Sequence, residues 1–479
     1  MRLTINEAAA CLGLPGTLPE AENAVLTTAV TDSREAGPGA LFVCVPGSRV
    51  DGHDFAAAAV GQGADAVLAA RPLPGINVPV LVVPDTVKAL GRLASLWRDR
   101  TTARVVAVTG TAGKTTLKEV LAQVLSCGGK TARNAMNYNN QIGMPRAVLG
   151  TDGDEAFWVM EAGISQEGDM DDLGSVLRPD IAVILNAGTG HTEGLGEKGV
   201  AWHKARLLKH LAKAGRGLVC ADYPDLAREA RATGADIHFF SGSGRDVEFR
   251  AIYAGAAPAP QGADAATADS CGLYRLWLNG KEFDVTAPFR GEYGAENVAA
   301  VVAAAHMLGL DVQAIRQGLA HARMPSQRFS QVRAGSWLLI DDTYNANPLS
   351  MGRMLDAAAE RAAGRPFVAV LGAMLELGSQ AAMEHEALGR RLASLNPSAI
   401  IWKGLYAEDV RKGLTLAGYA GPWQAVADAG EFMKTWRTLQ DYGLEDKAAK
   451  NGGVVLFKGS RSNRLETLMA ALSGQGKLS

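Results

Sequence analysis

The residues best suited to chemistry in this chain form one run, Val108-Thr109-Gly110-Thr111-Ala112-Gly113-Lys114-Thr115-Thr116. An apolar, strand-like stretch precedes it (105–108) and a helical pattern follows it (115–126). Glycines in such a turn let backbone N–H groups approach an anion, and the N-terminus of a helix favours negative charge. Lys114 adds a mobile point charge, and Thr115 is placed to offer its hydroxyl to Mg²⁺. The spacing is Gly-x-x-Gly-Lys-Thr, two residues shorter than the commoner phosphate loop. A glycine turn followed by a chance Lys-Thr pair is the bland alternative. The flanking strand and helix favour an ATP site.

Other polar residues are weaker signals taken singly. Glu161 and His191 each follow a predicted strand, where ligands bind in parallel sheets. A carboxylate suits Mg²⁺ and an imidazole suits it less, so each residue is either a ligand or an ordinary loop group. Lys204, at an apparent helix start, reads from composition as a surface lysine. Asp341-Asp342-Thr343-Tyr344-Asn345-Ala346-Asn347-Pro348 follows a strand and is either a polar turn or a ligand loop. Lys458-Gly459-Ser460-Arg461 is equally open between an anion site and a solvated basic turn.

The elements that must position these groups read as alternating strands and helices. At about 150 residues per domain, 479 residues suggest about three domains. Residues 1–102 form a small α/β unit, with β-rich runs at 40–45 and 79–83 and a helical pattern over 86–100. Strand candidates at 105–108, 157–160 and 181–185 imply a mostly parallel sheet. Residues 254–270 are low in complexity and read as a loop. Asn279-Gly280 between two β-rich runs is a hairpin signal, and an Ala/Val-rich helix is expected over 296–307. From near Pro325 a second α/β stretch has strand candidates at 337–340, 367–371, 399–402 and 454–457, so it reads as Rossmann-like. It carries no Gly-x-Gly-x-x-Gly after a strand, which argues against a dinucleotide site.

Composition narrows the classes further. Forty-eight Lys+Arg against 50 Asp+Glu leave a net charge of −2, so no basic field points to nucleic acid. Five scattered cysteines support neither a disulfide framework nor a zinc site. No apolar run approaches the ~18 residues of a membrane helix. Residues 1–7 lack the long apolar stretch of a signal peptide, so a cytoplasmic location is expected.

Taken together, these motifs resemble the Mur ligases, ATP-dependent amide-forming enzymes of peptidoglycan assembly. They are most similar to the type that adds D-alanyl-D-alanine to UDP-N-acetylmuramoyl tripeptide. The short loop over Gly110, Thr111, Ala112, Gly113, Lys114, Thr115 and Thr116 matches that family's phosphate loop, with Ala112 where the family usually has Asn. Glu161-Ala162-Gly163 and Gly190-His191-Thr192-Glu193-Gly194 match two magnesium-ligand motifs. Lys204 falls at the lysine the family carbamylates into a magnesium ligand, and Asn297 at the residue that contacts adenine. Arg328 and Asp342 match residues that reach the phosphate and ribose of ATP from the C-terminal domain.

Tyr344-Asn345-Ala346-Asn347-Pro348 is the most type-specific run, and Leu371–Gly378 agrees with another segment except that Ala373 replaces an Asp. The Asp-x-Pro-Arg motif of the diaminopimelate-adding type is absent. The resemblance implies three α/β domains: a UDP-sugar-binding unit (1–102), a central ATP-binding parallel-sheet domain (103–325), and a Rossmann-like domain receiving the dipeptide and part of ATP (326–479). It implies catalytic roles for Lys114, Lys204, Arg328 and His191, two Mg²⁺ ions on Thr115, Glu161, His191 and Lys204, and substrate contacts from Ser33, Arg34, Asn137, Asn139, Asn140, Tyr344, Asn345, Asn347 and Lys458. A monomer handling small molecules, with neither nucleic acid nor membrane as partner, is expected. The alternatives are a related ligase with another acceptor and a catalytically weakened interaction partner.

Overall fold

The computed structural model describes residues 1–15, 19, 23–47, 50–135, 138–188, 195–196, 198–257, 271–441 and 443–474. After a short antiparallel pair, β1 (Leu3–Thr4) and β2 (Val25–Leu26), four parallel strands form a small sheet in sequential order. They are β3 (Thr28–Val30), β4 (Ala40–Val43), β5 (Ala66–Ala69) and β6 (Val80–Val82). The helix Thr86–Asp99 begins where the Asp85 carboxylate accepts from the N–H groups of Val87 and Lys88, both at 3.0 Å. It carries the chain into the central domain, where the indole of Trp97 donates to Thr151 Oγ1 at 2.8 Å. Apolar residues of both regions, among them Leu90, Leu93, Trp97, Met144 and Leu173, share one core.

Nine strands make the central sheet: β7 (Arg104–Thr109), β8 (Thr131–Arg133), β9 (Phe157–Glu161), β10 (Ile181–Ile184), β11 (Arg216–Cys220), β12 (Ile237–Ser241), β13 (Phe249–Ala256), β14 (Gly272–Leu278) and β15 (Lys281–Ala287). Their order is β15-β14-β13-β12-β11-β10-β7-β9-β8, parallel from β8 through β13. The parallel strands are apolar on both faces because helices cover both. Lys114–Leu125 and the Ala-rich Ala295–Met307 lie on one side, and Gly143–Leu149 and Asp169–Leu177 on the other. The chain leaves β7 toward β9 on one side, while β10 closes on its other side. This is the switch point where open α/β sheets bind ligands.

The hairpin falls where Asn279-Gly280 placed it. Both residues have positive φ, 50° and 75°, as a type I′ turn requires, and Leu278 pairs with Lys281. The expected loop is shorter at its start: residues 254–256 extend β13, because their backbone pairs with β14, and 258–270 lie outside the described residues.

The C-terminal sheet runs β16-β17-β21-β18-β19-β20, with β16 antiparallel and the rest parallel. Its strands are β16 (Ser330–Ala334), β17 (Trp337–Asp342), β18 (Phe367–Gly372), β19 (Ala399–Lys403), β20 (Trp423–Ala425) and β21 (Gly453–Lys458). Separate apolar cores fill its two faces. Among the described residues, no helix is long and apolar enough to cross a membrane.

The loop after β18 hangs on a buried histidine. Nε2 of His385 accepts from the N–H of Met374 at 3.0 Å, while Nδ1 donates to the carbonyl of Ala381 at 2.6 Å. That pattern needs the neutral imidazole, and burial pushes its pKa below the ordinary 6.5. The unfolded chain therefore takes up this proton first, so the stability from the neutral ring is complete above pH 6.5 and lost as pH falls below it. Thermal denaturation between pH 7.5 and 5 should show a shallower pH slope for His385→Gln than for wild type.

Candidate active site between the central and C-terminal domains

β7 ends at the buried Thr109, and the glycine-rich turn leads straight into the helix Lys114–Leu125. Gly113 sits at φ +81°, and a Cβ there would lie 3.3 Å from the Asn297 amide. Glycine is required twice over, for the backbone angle and for the close approach. No side chain caps this helix, so its first N–H groups are left for an anion. Two earlier donors are taken. The N–H groups of Thr111 and Ala112 both bind Asn186 Oδ1 at 2.8 Å, and Asn186 Nδ2 returns a bond to the carbonyl of Ala112 at 3.0 Å.

Charged groups converge beside the turn. Lys114 Nζ donates to the carbonyl of Gly110 at 2.8 Å. Burial lowers its pKa, the Glu161 carboxylate opposes that, and the Arg328 guanidinium adds to it. Thr115 Oγ1 donates to Glu161 Oε2 at 2.8 Å, and Asn139 Nδ2 donates to Oε1 at 2.7 Å. The side chain of Asn134 holds the Glu161 backbone on both sides, accepting from its N–H and donating to its carbonyl. Lys204 is not the surface lysine that composition suggests. It is 3% exposed, and burial first, then Lys114, push its pKa well down.

The C-terminal domain completes the cluster. Arg328 Nη2 donates to Thr115 Oγ1 at 3.2 Å, and the guanidinium lies over the Tyr344 ring at 4.1 Å. Its neighbours Gln327 and Phe329 both hold left-handed backbone, φ 57° and 56°, which costs about 1–3 kcal/mol each for such residues. Asn347 caps the helix Pro348–Ala362 and donates from Nδ2 to the carbonyl of Thr111 at 3.2 Å. Asp342 is held internally: Lys458 Nζ donates to its Oδ2 at 2.5 Å and to the carbonyl of Asn345 at 3.0 Å, and the N–H of Phe329 binds its Oδ1. Asn345 turns its Oδ1 to the N–H of Ala346.

Thus Gly110 to Thr115, Asn139, Glu161, Arg328, Tyr344 and Asn347 lie together, with Lys204 and Asn297 adjoining. Asn297 Oδ1 is buried without a partner among the described residues. Ser33 and Arg34 lie apart from this cluster, in the N-terminal unit. The Arg34 side chain is 87% exposed and pairs with Asp32. That unit docks through Arg146, which reaches Thr31 and Glu35. Asn140 Oδ1 accepts from the N–H groups of Ile142 and Gly143, where the helix that carries Arg146 begins. Asn137 and His191 lie outside the described residues. Sequence reasoning passed over Asn134, Asn186, Glu296 and Arg353. Asn186 had a local signal, since it follows the apolar run of β10, and Asn134 follows β8, a strand too short to show in the sequence.

An uncapped phosphate-loop helix with an Arg donated by a second α/β domain defines a nucleotide-dependent transferase or ligase assembled across domains. Three family models agree with that class. The Mur ligase family catalytic domain matches residues 27–98, the Mur ligase middle domain 108–305, and the Mur ligase glutamate ligase domain 327–461. The chain belongs to the Mur ligase family.

Among its relatives is the UDP-N-acetylmuramoyl-tripeptide–D-alanyl-D-alanine ligase of Escherichia coli K12, 32% identical over 94% of each chain. A crystal structure of MurF from Acinetobacter baumannii superposes over 99% of each chain with a TM-score of 0.85 at 29% identity. The MurF ligase of Thermotoga maritima in complex with ADP superposes over 96% of this chain and 99% of that one, with a TM-score of 0.78 at 26% identity.

Removing the Asn186 amide leaves the N–H and carbonyl of Ala112 without this partner, at about 1–3 kcal/mol per unsatisfied group, while the Thr111 N–H keeps the Asn186 backbone carbonyl at 3.2 Å. Asn186→Ala should therefore lower stability by about 2–4 kcal/mol in urea denaturation.

Proposed function

We propose that this chain is an ATP-dependent ligase that joins D-alanyl-D-alanine to UDP-N-acetylmuramoyl tripeptide, completing the pentapeptide precursor of peptidoglycan. The observation that carries the reading is the Arg328–Thr115 contact, which spans 213 positions and joins two domains over one phosphate loop. The activity named for full-length relatives at 32% identity supports the substrates.

In the proposed reaction, the tripeptide's C-terminal carboxylate attacks the γ-phosphorus of ATP, and ADP leaves. The dipeptide amine then attacks the acyl phosphate, expels inorganic phosphate and loses a proton. Carboxylate and triphosphate repel each other, so the chain must supply positive charge where they meet. Lys114 and Arg328 do so at fixed positions, and the uncapped helix adds its N–H groups. Asn297, with its free buried Oδ1 beside Gly113, is the adenine contact. Asp342, braced by Lys458, faces the ribose, while Tyr344, Asn345 and Asn347 border the acceptor. Ser33 and Arg34 belong to the UDP-sugar end. Closure of the C-terminal domain excludes water that would hydrolyse the acyl phosphate.

The Thr115 hydroxyl and Glu161 carboxylate, 2.8 Å apart, are hard oxygen donors and fit Mg²⁺. His191 and Lys204 complete the proposed set for two ions. Bound Mg²⁺ neutralises charge that builds on the phosphate oxygens. Lys204, buried and with its pKa pushed well down by burial and then by Lys114, is suited to carbamylation: its nitrogen bonds to the carbon of CO₂, loses a proton and the side chain becomes an oxygen donor. Among the described residues, the triplet of neighbouring potential metal ligands is Asp152, Asp154 and Glu155, where Lys130 already pairs with both aspartates. The enzyme acts as a cytoplasmic monomer.

The test is phosphate release from ATP with UDP-N-acetylmuramoyl tripeptide, with and without D-alanyl-D-alanine, and mass analysis of the product. Dipeptide-dependent release with pentapeptide nucleotide formed is the expected result, and no turnover overturns the reading. Lys114→Ala should lower kcat at least about 10³-fold, since it removes the loop's charge from the transferring group. Near-normal amide formation by that variant would refute the role.

A further inference from the structure

The N–H groups of Thr111 and Ala112 are both held by Asn186, and the outer partner of that side chain, Glu296, is in turn held from the other domain. Asn186 uses its whole hydrogen-bonding capacity: Oδ1 accepts from Thr111 and Ala112, while Nδ2 donates to the carbonyl of Ala112 and to Glu296 Oε1 at 2.6 Å. Only one orientation of the amide satisfies all four bonds, and Glu296 is its single partner outside the loop. Glu296 lies at the start of the helix Ala295–Met307 and is 4% exposed. A buried carboxylate needs a counter-charge. Arg353 supplies it in a two-pronged pair, Nη1 to Oε1 at 3.2 Å and Nη2 to Oε2 at 2.7 Å. Tyr223 closes the ring, donating to Glu296 Oε2 at 3.0 Å and accepting from Arg353 Nη2 at 2.6 Å.

Arg353 belongs to the C-terminal helix Pro348–Ala362, whereas Tyr223, Glu296 and Asn186 belong to the central domain. We propose that Arg353 is a positioning residue for phosphoryl transfer: seated when the C-terminal domain docks, it holds Glu296, and through Glu296 the Asn186 amide that sets the phosphate-loop backbone. When the domains separate, Glu296 loses its cation and Asn186 its outer anchor. The loop therefore takes its working shape only while the domain that delivers Arg328 is in place. The kinetic part of this proposal rests on the ligase reading, and the structural part does not.

Hydrogen exchange on the full chain, without substrate, tests the relay directly. Peptides spanning residues 110–114 should exchange about tenfold faster in Arg353→Ala and in Glu296→Gln than in wild type, since the charge-assisted Arg353–Glu296 pair is lost in each. The double variant should be no faster than either single, and Arg353→Lys should lie closer to wild type. In turnover, Arg353→Ala should lower kcat about tenfold with KM for the tripeptide nucleotide within twofold, the split expected of a transition-state effect. A brace with no link to the loop would lower the melting temperature and leave exchange and kcat unchanged. Loop exchange within twofold of wild type in folded variants, or a double variant equal to the product of the singles, overturns the relay. If the wild-type chain forms no pentapeptide nucleotide but exchange follows this pattern, the ligase reading falls and the relay stands.

Discussion

Positive charge concentrated in a cleft before any anion arrives is the constraint on which this molecule depends. Lys114 and Arg328 flank the Thr115–Glu161 hydrogen bond, and Lys204 lies buried close enough to Lys114 to feel its charge. One carboxylate does not balance Lys114 and Arg328, so the arrangement is costly in the free protein and becomes favourable when phosphate groups enter. Stiff surroundings are therefore needed. Parallel strands covered on both faces provide them, with the loop set where the sheet changes direction and Asn134 and Asn139 gripping Glu161 from the side.

The second consequence is that the charges come from two domains. A site built on one sheet would stay charged and wet. Splitting it lets the C-terminal domain bring Arg328 and Asn347 to the loop as it closes. Much of the contact near the loop is polar: Arg328 to Thr115, Asn347 to Thr111 and Arg353 to Glu296. Polar interfaces between domains can part without exposing a large apolar surface, which suits a machine that must admit three substrates and release three products. Within the C-terminal domain the ends of β17 and β21 are joined by the buried Asp342–Lys458 pair, and Lys458 also holds the carbonyl of Asn345.

Elements with strong local signals were legible along the chain. Thr86–Asp99, Lys114–Leu125, the Asn279-Gly280 hairpin and the apolar strands β7, β9, β10, β17, β18, β19 and β21 all carry their period or turn chemistry in a few consecutive residues. Short or half-exposed strands were harder. β8 and β20 span three residues each, and β16 lies at a sheet edge with few apolar side chains, so their pairing comes from neighbours rather than from their own pattern. Lys204 shows the same limit at a single residue: it lies in the last turn of the helix Gly199–Ala205 and not at the expected helix start, and nothing in its local sequence shows that it faces inward.

By itself, the sequence determined where an anion can bind. Strand, glycine turn and lysine-led helix are contiguous, and the backbone angles of glycine and the N–H groups of a helix end are local properties. Tertiary structure alone decided what surrounds that anion. Asn186 lies 75 positions from Thr111, Glu296 lies 110 from Asn186, and Arg353 lies 57 beyond Glu296. Each is an ordinary polar residue along the chain, and each has a partner only because sheet order and domain docking place it there. Hydrogen bonds and ion pairs act over about 3 Å, a distance that separation along the chain does not encode.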